Sequence, residues 1–427
     1  MARLAATASL LCAAAAAAEP LDGRAIFTGA VVGLEDGATA RRLARSPCHS
    51  CHGRDGRGGV EGDAPPIDWS VLSRQTIDRL AYDEARFARA VVEGVDSSGR
   101  ALSRLMPRYA FSQGEIAALQ DYLERIGAEQ RTGATANSVT FGLPELPGSP
   151  VLTEELAVAI RSGLADALGG GTVWGRSVEI VTFRDGAPPP SMLAVLSPRV
   201  EAVPGYAALG VPTLFPLGAL EGDEDPSIVR AATPSRAGVR AALAGAIAAA
   251  DPASVTIIAT PDTRERADAE ALGLALRLES PAMSERIRIS PGARKDAATD
   301  RDALVILSED GLNAARGWPG PVWLSWSALQ AAGGALEGGH PLFAVVETPW
   351  IVRRAIETGG HPIIAHGERI GAATAEALMA AGRNLTRGGL LEALEDARLD
   401  EWGLDYATHP LTGAADVMFV TLNLRQN

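Results

Sequence analysis

The sequence predicts an α+β multidomain chain, with a small all-α domain first and a larger α/β domain after it. Three observations carry that prediction. Before residue 128, apolar residues recur at helical spacing around a single Cys48-His49-Ser50-Cys51-His52 motif. Residues 128–137 are polar and weakly patterned, which reads as a linker. Beyond them, short apolar runs alternate with amphipathic stretches, the pattern of parallel sheets with helices on both faces. With 427 residues, 47% of them hydrophobic, the chain is long enough for two or three folded units.

Residues 1–18 read as an export signal. Arg3 supplies the positive start, the uncharged stretch 4–18 is too short to span a bilayer, and Ala16-Ala17-Ala18 is a cleavage site. A mature chain beginning at Glu19 is expected in the periplasm. Cys12 lies within the signal and follows Leu11, where a lipoprotein signal needs a small residue, so no lipid anchor is expected. Cys48 and Cys51 are then the only cysteines, which leaves no structural disulfide. No later segment has the length of a membrane span.

The C-x-x-C-H motif is an attachment site for covalent haem. Cys48 and Cys51 would each form a thioether to one haem vinyl group, and His52 would offer an imidazole nitrogen to the iron. A zinc half-site or an incidental pair is the alternative; the export signal and a well-placed sixth ligand both agree with haem. That sixth ligand is Met106, in Leu105-Met106-Pro107. A thioether opposite histidine favours Fe(II) and leaves no open coordination position, as suits an electron carrier. One haem c is therefore expected. Around the motif, residues 23–29 form a short helix with Ile26 and Phe27. Asp83 caps a helix through Phe87, Ala90 and Val91 that stops at Gly94. Ser112 and Glu115 make a capping box for a last helix with Ile116, Leu119, Leu123 and Ile126 on one face.

This set resembles a class I monohaem cytochrome c, over residues 19–127. The resemblance implies that the first and last helices cross, bringing Phe27 near Tyr122 and Leu123. It implies that a proline carbonyl, from Pro66 or its neighbour Pro65, receives the His52 N–H. Arg54, Arg57, Trp69 and Arg100 become candidates to surround the haem propionates.

In the second half, strands are expected at 139–143, 178–183, 193–196, 255–259, 303–307, 322–324 and 417–422. Helices are expected at 154–168, 237–250, 264–276, 370–381 and 388–397. The stretch 138–185, the run Gly210-Val211-Pro212-Thr213-Leu214-Phe215-Pro216, the crossover at 229–235 and the closing segment 371–411 together resemble a type I periplasmic substrate-binding protein of the branched-chain amino-acid-binding kind. The resemblance covers residues 138–427 and implies two α/β lobes with a ligand cleft between them. Pro198 and Pro216 stand where such proteins offer amides or hydroxyls, and proline has no N–H for a carboxylate, so an amino-acid ligand is not expected.

Ligands of open α/β sheets meet the carboxyl ends of the strands. Those ends carry Asp185, Ser197, Phe215, Glu309 and Trp326, the candidate cleft residues. Trp323, Trp326 and Trp350 either line a pocket or pack within a lobe. His340, His361, His366 and His409 lack metal-ligand spacing.

The chain carries 39 Lys and Arg against 52 Asp and Glu, and the excess acid falls almost entirely after residue 127. That excludes nucleic acid and an anionic membrane surface as partners. The joined resemblances imply a periplasmic electron carrier with a docking or ligand-sensing module. Its partners would be a periplasmic redox protein such as a PQQ-dependent (quinoprotein) dehydrogenase, and a downstream oxidase or cytochrome. The alternative is a solute receptor for an ABC transporter with an accessory haem. An enzyme is not expected, since His52 and Met106 fill both axial positions.

Overall fold

A computed structural model describes residues 22–29, 36–59, 64–170, 172–184, 189, 191–260, 263–332, 341–397 and 399–422. The expected export signal lies outside these residues. The chain divides into two compact units, Met1–Glu129 and Gln130–Asn427.

Helices α1 (Gly23–Thr28), α2 (Gly37–Arg45), α3 (Cys48–His52), α4 (Trp69–Leu72), α5 (Glu84–Val92) and α6 (Gln113–Gln130) make up the described elements of the first unit. Side-chain caps start all of them but α3. The Asp22, Asp36, Asp68 and Asp83 carboxylates accept first-turn backbone N–H groups of α1, α2, α4 and α5. At α6 the Glu115 carboxylate accepts the Ser112 N–H at 2.7 Å, the capping box read from the sequence. Helices α1 and α6 touch closely: a Cβ on Gly23 would fall 1.9 Å from the Ala118 carbonyl. The Phe27 and Tyr122 rings lie 5.3 Å apart. Phe27, Leu43, Phe87, Tyr109, Leu123 and Ile126 centre this unit's core. Residues 128–137 complete the last turn of α6 and then form a hydrogen-bonded turn, with Thr135 N–H donating to the Ser138 carbonyl.

The second unit has two lobes, each built on a six-stranded sheet. The first lobe runs β1 (Ser138–Pro144), α7 (Pro150–Leu168), β2 (Thr172–Val173), β3 (Arg176–Phe183), β4 (Ala194–Leu196), α8 (Val203–Ala208), β5 (Thr213–Leu214) and β6 (Val229–Arg230). Its strand order is β2-β3-β1-β4-β5-β6. After a crossover come α9 (Arg236–Ala249), β7 (Ser254–Ile258), α10 (Thr263–Glu279), β8 (Ile287–Ser290), β9 (Asp302–Ile306), β10 (Val322–Leu324), α11 (Trp326–Ala332), β11 (Leu342–Val346) and α12 (Pro349–Thr358). Helices α13 (Pro362–Ala381) and α14 (Arg387–Asp396) precede the last strand, β12 (Met418–Leu422). The second sheet has the order β12-β11-β10-β9-β7-β8.

The sheets are mixed rather than purely parallel as expected, because β2 and β12 lie antiparallel on their edges. Strands β8 and β11 and helices α11 and α12 were not expected. In β8 the charged Arg288 interrupts a four-residue run, and β11 is an uninterrupted apolar run without period. Helix α13 returns to the first lobe and crosses α7 at glycines, where a Cβ on Gly371 would stand 2.3 Å from the Ile160 carbonyl. Among the described residues, no helix is long and apolar enough to cross a membrane.

Candidate functional site

The carboxyl ends of the second lobe's strands open on a cavity of about 500 Å³. Thr260 follows β7, Ser308 follows β9, Ser325 and Trp326 follow β10, and Glu347 follows β11. Helices α9 and α10 supply the facing wall with Val239, Leu243 and Leu272 beside Arg236, Arg240 and Asp268. Gly218 and Ala219, from the β5–β6 loop of the first lobe, form part of the rim. A pocket of this size, mostly apolar with a few convergent polar groups, suits a small molecule.

Most polar groups in the wall are committed. The Glu265 carboxylate accepts the Thr260 N–H at 2.7 Å and the hydroxyls of Thr260 and Ser308. Asp268 pairs with Arg236 at 3.2 Å and with Arg240 at 2.9 Å. Ser325 and Ser327 both donate to the Leu307 carbonyl. Burial raises the Glu347 carboxyl above the usual glutamate range, against the pull of Arg236 and with the push of Asp268.

In the first lobe the ends of β4 and β5 are closed. Ser197, after β4, is buried, and its hydroxyl lies 3.0 Å from Nε2 of the buried His366 on α13. Burial, and then the Arg369 charge, push His366 down to about 3, so its ring is neutral. Phe215, after β5, is also buried and belongs to the lobe's apolar core. Both carry positive φ, 47° and 56°, a conformation that L-residues seldom adopt. Ser197 and Phe215 therefore do not line the cavity, contrary to expectation: His366 of α13 meets the first, and the second is buried in the core. Glu309 also misses it, being exposed at the start of the short helix Glu309–Ala314, while the adjacent Asp310 lines the wall. Trp326 is among the lining residues. Asp185 lies outside the described residues. Trp323 instead stacks on Phe343 at 4.5 Å, and Trp350 packs near Trp402. Glu347 was missed; its signal is the apolar run of β11 ending in an acid just before Thr348-Pro349, a helix start.

In the first unit, Cys48 and Cys51 lie one turn apart on α3 and are not joined in a disulfide. Loss of solvent around its sulfur raises Cys48 to about 12, so it is a protonated thiol and a poor nucleophile. His52 is buried, and its Nδ1 lies 2.8 Å from the Pro65 carbonyl, an arrangement that leaves Nε2 to serve as a ligand. Burial lowers its pKa, against that hydrogen bond, and favours the neutral, ligating ring. The partner is Pro65 and not Pro66. Gly58, at φ 78°, packs its backbone on Ala64 and Pro65, and successive carbonyls of an extended segment face opposite ways. The Met106 segment is held beside the motif: Tyr109 donates to the Ser46 carbonyl at 2.5 Å, and Arg42 to the Arg108 carbonyl at 2.7 Å. Arg100 differs from expectation. Its guanidinium is bound to the buried Asp96 at 2.8 Å and to the Asp78 carbonyl, which fixes a local turn. Trp69 packs edge-on against Phe87 at 5.5 Å, and Arg54 is half-buried. The two thiols, the His52 imidazole and the Met106 thioether are the groups here that could hold a haem. Among the described residues, no cluster of three or more His, Cys, Asp or Glu could hold a metal ion.

A scan against protein-family models finds no match, and a search of curated proteins finds none either. Solved structures do match. An extracellular ligand-binding receptor from Verminephrobacter eiseniae is 13% identical, covers 66% of this chain and 97% of its own, and superposes with a TM-score of 0.50. A fatty acid ABC transporter substrate-binding protein from Thermomonospora curvata is 15% identical, with 69% and 90% covered and a TM-score of 0.48. An ABC transporter substrate-binding protein from Desulfitobacterium hafniense, in complex with Leu, is 19% identical, with 61% and 89% covered and a TM-score of 0.45. The likeness to the first of these is one of fold: two α/β lobes of the periplasmic-binding-protein kind. These similarities lend nothing to an electron-carrier role, which rests on residues of the first unit alone.

Proposed function

We propose that residues 130–427 form an exported receptor for a small molecule, bound at the strand ends of the second lobe, and that the first unit carries one haem c as an accessory. The cavity supports this reading most directly. It sits where ligands meet open α/β sheets, and hydroxyls, carboxylates and one tryptophan converge on it. The fold shared with the Verminephrobacter eiseniae receptor points the same way. Such a receptor works in the periplasm and hands its ligand to a membrane transporter. The test is a thermal-shift screen of the full chain against small amines, sugars, acids and aromatic compounds. A ligand present at a hundredfold excess over its Kd stabilises the state that binds it by about 2.7 kcal/mol. A clear rise in Tm with one class, lost in Trp326→Ala, supports the receptor. No rise with any class counts against it.

A second reading, the electron carrier, is favoured by one specific observation: the His52–Pro65 hydrogen bond beside two cysteines not joined in a disulfide. Haem c would supply a one-electron couple there. Cys48 and Cys51 would hold it, His52 would be oriented by Pro65, and Met106 would set its potential. Its partners would be a periplasmic dehydrogenase, of the PQQ-dependent type, and a downstream oxidase or cytochrome. Met106→Ala is expected to keep covalent haem, lower the reduction potential and admit carbon monoxide. An unchanged potential and visible spectrum would remove Met106 from this role.

A further inference from the structure

The charges around the second-lobe cavity are unequally used. Each guanidinium in its wall already has acidic partners. Arg236 meets Asp268 at 3.2 Å and Glu221 at 3.5 Å. Arg240 meets Asp268 at 2.9 Å and Glu221 at 3.4 Å, and Arg264 meets Glu201 at 3.5 Å. Glu265 is held by Thr260 and Ser308. Asp310 and Glu347 are the exceptions, and of the two Asp310 is exposed to water while Glu347 is not. Glu347 is half-buried in the cavity wall, and its carboxylate has no hydrogen bond or ion pair among the described residues. An ionised carboxylate withdrawn from water without a partner is costly, and a cation brought by a ligand would remove that cost.

The position of Glu347 adds a second constraint. Strands β10 and β11 are parallel neighbours, with Leu324 opposite Ala344. Trp326 and Glu347 follow the ends of these two strands, and adjacent strands lie about 4.8 Å apart. An indole and an unpaired carboxylate thus open side by side into the same cavity. A carboxylate attracts an ammonium, and an aromatic ring accepts either a cation or a flat apolar body. The opposite wall offers the apolar side chains of Val239, Leu243 and Leu272 beside the ion pairs of Arg236 and Arg240 with Asp268. No uncommitted cation among the described lining residues is available for a ligand carboxylate.

We propose that the cavity selects a monoamine with an apolar or aromatic body and no carboxylate, its ammonium on Glu347 and its body against Trp326. This rests on the receptor reading and gives it a substrate class. The experiment is calorimetry on the full chain with three matched probes: 2-phenylethylamine, phenylalanine and 3-phenylpropanoate. The amine is expected to bind, phenylalanine to bind at least tenfold more weakly, and 3-phenylpropanoate not to bind. Glu347→Gln should weaken the amine tenfold or more, while Glu309→Gln, exposed and outside the wall, should leave it unchanged. If Glu347→Gln fails to fold, Glu347→Asp and Trp326→Ala serve in its place, each expected to weaken the amine. Equal or tighter binding of either carboxylate probe, amine binding that survives loss of Glu347, or no binding of the amine overturns the proposal. A neutral or anionic compound from the wider screen that binds and is lost in Trp326→Ala leaves the receptor standing and sinks only the amine. Failure of every compound sinks both.

Discussion

The two lobes of the second unit share a plan and differ at one place. Each has a six-stranded sheet, parallel except for one antiparallel edge strand. In the first lobe the ends of β4 and β5 are sealed: Phe215 is buried in the core, and the Ser197 hydroxyl is turned to His366. In the second lobe the strand ends open on a cavity with Trp326 and Glu347. The fold fixes where a cleft can form. The side chains at the strand ends, and whatever helix returns over them, decide whether it is a site. Helix α13 makes that difference, by packing its glycines against α7 and delivering His366 onto β4.

The contrast predicts that first-lobe changes act on stability and second-lobe changes on binding. The largest effect is expected from Gly371→Leu, where new atoms would meet the Ile160 backbone at the α7–α13 crossing. A loss of about 3 kcal/mol, at the upper end of overpacking costs, should appear in chemical denaturation. His366→Ala should follow, at about 2 kcal/mol, because it leaves the buried Ser197 hydroxyl without its partner and opens a void. Neither substitution should change ligand affinity in protein that remains folded. A loss of binding in folded His366→Ala would break the comparison by making the first lobe part of the site.

Stability against pH sharpens it further, since the two groups slope in opposite directions. His366 is pushed from an ordinary 6.5 to about 3, so between those values the unfolded chain binds the extra proton. Its contribution is lost as pH falls through that window. Glu347 is raised above its ordinary 4.5, so the unfolded chain releases its proton first, and stability is lost as pH rises from 4.5 through the raised value. In melting curves across pH, His366→Gln should reduce the acid-side loss, which lowered carboxylates such as Asp96 and Asp302 share, and Glu347→Gln should reduce the loss on raising pH. The smallest stability effect is expected from Trp326→Ala: about 0.5 kcal/mol or less, since the ring is half-buried, together with a clear loss of ligand binding.

Much of this architecture was legible because its signals are local. Asp83 and Ser112 mark the starts of α5 and α6 through short-range caps. The alternation of strands and helices located β1, β3, β7, β9 and β10 to within two residues at either end. Trp326 was legible as a cleft residue because it directly follows a strand. What escaped was set by distant parts of the chain. Ser197 also follows a strand, yet the histidine that meets its hydroxyl arrives 169 residues later. Strand β11 lacks alternation because both its faces are covered, and Glu347 was lost with it. The choice between Pro65 and Pro66 depended on which way an extended carbonyl faces, and spacing does not carry that information.

The most direct test of the central claim, that the open lobe holds the ligand, is a crystal structure of the full chain with a compound taken from the thermal-shift screen. Density is expected in the second-lobe cavity, against Trp326 and between the ends of β10 and β11. Density at Ser197 and Phe215, with His366 displaced, would contradict it.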